Sequence, residues 1–160
     1  MSLPWRAIAA FVTLPVVMGG LLPAALLFAT GPPAPGGWAW LGLVPAALGL
    51  ALLLECVRLF AVRGRGTLAP WAPPQQLVVV GVYRWVRNPM YVALALVLAG
   101  WTILFRSTAV AVYGMLLVIA FHLRVVLYEE PTLRRTFGES FERYLQEVPR
   151  WLPRPPRGPD

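Results

Sequence analysis

The chain has 160 residues, 58% of them hydrophobic and only 13% charged, a balance far outside that of a soluble globular domain. Its net charge of +7 comes from fourteen basic residues, all arginine, against seven acidic ones, and in a membrane chain such charge is read by position rather than as an affinity for nucleic acid. One cysteine, Cys56, and one histidine, His122, exclude an internal disulfide and the usual Cys/His zinc sets, so any chemistry here is expected to need no metal.

From Trp5 to Ala29 the only charge is Arg6, and roughly 25 residues at about 1.5 Å each cross a hydrocarbon core about 30 Å thick. A secretory signal would carry a shorter apolar part of about 7–15 residues followed by small residues at a cleavage site. The stretch is therefore read as a first span, about 5–29. Pro15, Gly19, Gly20 and Pro23 inside it predict a kink, with neighbouring helices satisfying the freed carbonyls. The uncharged run Gly31 to Gly37 is a turn. A second span, about 38–60, opens with Trp38 and Trp40 at interfacial depth and ends in Glu55, Cys56 and Arg58. An ionisable residue inside a span is a functional candidate. Glu55 and Arg58 also stand three apart on one helix face, where they satisfy each other.

Residues 61–88 form the longest stretch outside the spans, a loop whose apolar and aromatic content argues against disorder and for packing over the membrane face. Asn88 suits a helix N-cap and Pro89 the first helical position, which predicts a third span over 89–105. Arg106-Ser107 makes a tight turn, and Thr108 to Tyr128 forms the fourth span with His122 and Arg124 in its last third. The third and fourth spans are then an antiparallel hairpin that returns Asn88 and Glu129 to the same side.

Leu133, Phe137, Phe141, Tyr144 or Leu145, and Val148 recur at three- and four-residue steps, with charges elsewhere around the helix. This predicts an amphipathic helix over 131–148 lying in the interface with its apolar face toward lipid. Glu139 and Arg143 add a favourable i,i+4 pair, Trp151 anchors the tail, and the last residues read as a disordered end. Ten arginines lie in the 61–88 loop and the C-terminal tail, while the turns on the other side offer only Arg106. By the positive-inside rule the loop and both termini face the cytoplasm. The expected fold is a single domain, 1–160: an all-α integral membrane protein of four transmembrane helices plus a C-terminal interfacial amphipathic helix.

Glu129 and Glu130 stand where the fourth helix ends, at the negative pole of its dipole. A new helix starting at Pro131 would relieve this by placing them at a positive N-terminus; alternatively they face the Arg87 region and hold a ligand's ammonium or hydroxyl groups. Arg87-Asn88-Pro89 is equally double, either a capped helix start at the lipid boundary or a helix N-terminus that meets a carboxylate.

Taken together, Gly81-Val82-Tyr83-Arg84, Arg87-Asn88-Pro89-Met90-Tyr91, Glu129-Glu130-Pro131-Thr132-Leu133, Phe137-Gly138, Tyr144 and Val148-Pro149-Arg150 resemble the integral-membrane methyltransferases. That superfamily comprises the isoprenylcysteine carboxyl methyltransferases, the phospholipid N-methyltransferases and their small bacterial relatives. The resemblance covers roughly residues 66–153. It implies that S-adenosylmethionine is bound by the family pattern Arg-His-Pro-x-Tyr-x-Gly and a Glu-Glu pair, which correspond here to Arg87, Pro89, Tyr91, Glu129 and Glu130. Asn88 replaces the His, keeping hydrogen bonding but removing a titrating group, and Ala93 replaces the last Gly, adding a methyl expected to narrow the pocket. Tyr83 and Asn88 join the expected cofactor-binding set. Glu55, His122 and Arg124 are expected toward the acceptor, His122 or Glu55 as a proton acceptor if the substrate is an amine. The implied activity is methyl transfer to a membrane-dissolved lipidic or hydrophobic acceptor, in a bacterial inner membrane with the site facing the cytoplasm. The rival is a non-catalytic four-helix scaffold or small transporter with a rim that binds lipid headgroups.

Overall fold

The computed structural model describes residues 13, 15–63, 77 and 79–156, the side chains of 60–63 excepted. The expectations placed on Trp5 and Arg6, on the loop from 64 to 76, on Val78 and on the end beyond 156 lie outside the described residues. Among those described, every regular element is helical. Two helices, Gly37–Leu59 and Thr108–Phe137, are long and apolar enough to cross a membrane, and Val17–Thr30 and Pro89–Phe105 are apolar but shorter.

Helix α1 (Val17–Thr30) opens with a π-helical turn over Val17–Leu21, beside Gly19, Gly20 and Pro23. A widened turn leaves a backbone carbonyl to be satisfied from outside. The Tyr113 hydroxyl supplies this by donating to the Met18 carbonyl at 2.9 Å. Gly31, at φ 55°, ends the helix in the left-handed conformation that glycine adopts without strain.

A 3-10 turn over Gly37–Gly42 leads into α2 (Leu43–Arg63), which runs against α3 (Pro89–Phe105). Small residues set how closely the two approach. A Cβ on Gly42 would stand 2.6 Å from the Gly100 carbonyl oxygen, one on Gly49 2.6 Å from the Ala93 carbonyl oxygen, and one on Gly100 2.6 Å from the Ala46 Cβ. The backbones therefore touch directly, the arrangement that lets dispersion hold helices together where lipid removes the hydrophobic drive. Ala93 is fully buried at this contact. Ala93 is not among the residues that line the cavity described below.

The α3–α4 turn is as tight as predicted. Arg106 takes the left-handed conformation at φ 46°, and Ser107 caps α4 (Thr108–Arg124), its Oγ accepting from the Val110 N–H at 3.3 Å. The far end of α4 differs from expectation. Pro131 does not begin a separate helix; α4 passes through a π-helical turn, Val125–Glu129, into α5 (Glu130–Phe137). The wide turn accommodates a proline that has no N–H and would otherwise crowd the carbonyl four residues earlier. No helix N-terminus is created there, so relief of Glu129 and Glu130 by a second dipole is overturned.

The amphipathic stretch is also two helices rather than one. Gly138, at φ 50° and ψ −126°, separates α5 from α6 (Glu139–Glu147). Its apolar residues Phe141, Tyr144 and Val148 are buried against Leu77, Val79, Leu133, Phe137 and Leu145. The loop before α3, rather than lipid, takes that face. Glu142 pairs with Arg134 across the α5–α6 bend.

Candidate functional site

The hairpin brings Arg87, Asn88 and Tyr91 together with Glu129 and Glu130, and the chain after α6 returns to close the group. Arg87 Nη1 donates to Glu130 Oε1 at 3.0 Å. Arg150 donates to the same carboxylate in a fork, Nε to Oε1 at 2.8 Å and Nη2 to Oε2 at 2.9 Å. Glu129 Oε1 accepts from the Tyr91 hydroxyl at 2.5 Å and from Arg124 Nε at 2.8 Å, and the Arg124 guanidinium lies 5.8 Å from the Tyr128 ring centroid. Three guanidiniums thus face two carboxylates, an excess of one positive charge. Side-chain exposure is 12% for Arg87, 15% for Glu130 and 11% for Glu129. Charges this secluded are stable only when paired and hydrogen-bonded.

The group is not fully spent. Arg87 Nε is buried without a hydrogen-bond partner among the described residues. Both bonds to Glu129 fall on Oε1, leaving Oε2 without one among the same residues. Burial pulls the Arg87 guanidinium below the usual arginine range while Glu130 opposes the shift. At Arg150 the hydrogen bonds to Glu130 dominate and push the other way.

A strap after α6 holds this arrangement shut. The Arg87 N–H donates to the Pro149 carbonyl at 2.9 Å and the Arg154 N–H to the Trp85 carbonyl at 3.0 Å. Asn88 Nδ2 donates to the Arg150 carbonyl at 3.2 Å. Asn88 stands at the N-cap position, with Pro89 first in the helix as expected, but its side chain makes no cap bond. It is spent on the strap instead, which corrects the capping role. Trp151, expected as an interfacial anchor, is half-buried: its Nε1 donates to His122 Nδ1 at 3.3 Å, and its ring lies 6.5 Å from that of Tyr91.

Below this lid lies a cavity of about 300 Å³ between α3 and α4, lined by Tyr91, Val92, Ala95, Leu96, Val118, Phe121 and Trp151. The Tyr91 ring stacks on Phe121 at 4.4 Å, so one residue has its hydroxyl in the ionic group and its ring in the apolar cavity. Sequence reasoning missed Phe121 and missed Trp151 as a wall, since single aromatics in an apolar span or tail carry no spacing signal.

Two other expected residues lie apart from the ionic group. Glu55 takes both Arg58 Nε, at 2.7 Å, and Nη2, at 2.8 Å, as its spacing foretold. Tyr83 is buried with Cys56, Leu59 and Met90, and its carbonyl accepts from the Tyr144 hydroxyl at 2.8 Å. Burial pushes the Tyr144 phenol well above its ordinary range against the opposing pull of Arg87, so it remains a donor. Among the described residues no group of three or more His, Cys, Asp or Glu is placed to hold a metal.

Apolar helices joined at one end by a partly buried arginine–glutamate group, beside an apolar cavity, define a helical bundle with a polar site at its edge. Residues 38–140 match the phospholipid methyltransferase family, and the chain belongs to that family. It is 30% identical over 63 residues to an uncharacterized protein of Haemophilus influenzae, a match that covers 39% of this chain and the whole of that protein. No solved structure matches the chain. The family is one of membrane methyltransferases, which counts against the non-catalytic scaffold.

Proposed function

We propose that the protein transfers a methyl group from S-adenosylmethionine to a lipidic or hydrophobic acceptor dissolved in the membrane. The observation that carries the reading is the partly buried group of Arg87, Tyr91, Glu129 and Glu130, with one unspent donor and one unspent acceptor, set directly against an apolar cavity. The donor set fits the cofactor: carboxylates for its ammonium or ribose hydroxyls, and a guanidinium for its carboxylate. Arg87, Asn88, Pro89, Tyr91, Glu129 and Glu130 are the residues we assign to it. When bound, it supplies a methyl on a cationic sulfur, already an activated electrophile.

The work left to the chain is positional. Alignment of an acceptor in a water-poor site can lower a barrier by several kcal/mol. Tyr91 and Phe121 form the wall the acceptor meets, and Trp151 excludes water from above. His122, bonded to Trp151, and Arg124, bonded to Glu129, stand on the acceptor side of the group. For an amine acceptor, His122 would take the proton at Nδ1 only by giving up the bond from Trp151, while both Glu55 oxygens are engaged by Arg58. We read all four apolar helices as spans, with the arginine-rich loop and tail on the cytoplasmic side of a bacterial inner membrane.

Titration of the purified protein with S-adenosylmethionine in nanodiscs tests the reading, and absence of saturable binding would sink it. Glu129→Gln and Glu130→Gln should each weaken binding tenfold or more, roughly the 1.5–3 kcal/mol of a charge-assisted hydrogen bond.

A further inference from the structure

We propose that Trp151 is the specificity-determining residue of the cavity, a wall that suits it to an uncharged acceptor with an apolar body rather than to a phosphate-bearing headgroup. The inference rests on the methyltransferase reading only in calling the occupant an acceptor.

Contacts within the chain fix where Trp151 sits. On one side its chain is held by the Arg87 N–H on the Pro149 carbonyl, by Asn88 on the Arg150 carbonyl and by the Arg150 fork on Glu130; on the other the Arg154 N–H is bonded to the Trp85 carbonyl. The indole N–H is itself bonded to His122. An aromatic pinned from both sides has a fixed position, and here that position is the roof of the cavity.

The walls decide what fits beneath it. At about 300 Å³ the cavity lies at the low end of small-molecule sites, roughly 300–1,000 Å³. None of its lining side chains is charged. Arg87, Arg124 and Arg150, each bonded to Glu129 or Glu130, belong to the ionic group and do not line the cavity. A phosphate moved into the cavity would lose its water and gain no counter-charge from the walls, whereas an apolar body would lose nothing. Val118, at the cavity and 46% exposed, gives access from the membrane between α3 and α4. An occupant there touches the Tyr91 ring, whose hydroxyl is bonded to Glu129.

Photolabelling in nanodiscs with an alkyl diazirine, mapped by mass spectrometry, tests this on the full chain. Dodecanethiol should protect Leu96 and Val118 from labelling at concentrations on the order of tenfold lower than dihexanoyl phosphatidylethanolamine, while labelling of Phe28, 93% exposed on α1, should respond to neither. Trp151→Ala should erase the preference and Trp151→Phe should keep it. If Trp151→Ala fails to fold by circular dichroism, Trp151→Leu carries the same expectation. Equal protection by both competitors in the unaltered protein, or an undiminished preference in the Ala or Leu variant, would overturn the proposal. The competition needs no cofactor, so S-adenosylmethionine titration of the same samples separates the two failures: lost cofactor binding refutes the enzyme reading, and a lost preference refutes the role of Trp151.

Discussion

Glu130 accepts from two arginines and Glu129 from a tyrosine and a third arginine, yet Glu55 with its own arginine partner is a different kind of pair. Glu130→Ala would leave Arg87, whose side chain is only 12% exposed, beside Arg150 with no counter-charge. Removing one partner of a fully buried pair costs about 3–5 kcal/mol; this partly buried group should lose a smaller amount, read as a fall in the thermal midpoint in detergent. Glu55→Ala breaks a pair in which Arg58 is 62% exposed and should leave that midpoint unmoved. If the two variants melt alike, the group at Glu130 is not the structural centre its geometry implies. Tyr144→Phe removes one hydrogen bond, to the Tyr83 carbonyl, and should cost about 1 kcal/mol by chemical denaturation. The two carboxylates were visible in the sequence as a pair. Their division of labour was not, because consecutive residues on a helix point in different directions and only the partners reveal which faces what.

Among the elements, the α2–α3 seam and the π-turn between α4 and α5 position everything else. Gly49→Leu and Gly100→Val each drive side-chain atoms into backbone or Ala46 at a contact where even a Cβ would stand 2.6 Å away. A cost at or above the usual 1–3 kcal/mol of overpacking is expected, read as lost expression of folded protein or a lower melting point. Gly114→Ala is the control, since its Cβ would meet Leu98 at an ordinary 3.5 Å. The bounds of α3 were legible from Asn88-Pro89 and Arg106-Ser107, where local chemistry and chain geometry agree. The continuity of α4 into α5 was not legible. A proline after two glutamates signals a helix start by propensity, and only the packing around it selects a widened turn instead.

For the molecule as a whole, the strap from Pro149 to Arg154 is the piece that turns a helical bundle into a site. Truncation after Val148 removes the Arg150 fork and the Trp151 roof together, and should abolish saturable S-adenosylmethionine binding while leaving the helical circular dichroism signal close to that of the full chain. Retained binding would show that the tail is dispensable to the site. By itself the sequence determined the helical membrane class, the α3 boundaries and the return of Asn88 and Glu129 to the same side, because each follows from apolar run length, the place of Pro89 at a helix start or the return of a hairpin, while it left open what Glu55, Glu129 and Glu130 pair with. The tertiary structure alone decided that Asn88 holds the strap rather than the helix, that Trp151 lies beside Tyr91 and His122, and that the α6 apolar face packs on Leu77 and Val79. These are contacts between residues some 60 positions apart, or between a face and whichever surface arrives to cover it. Hydrophobic patterning records that such a face must be buried but carries no mark of its partner.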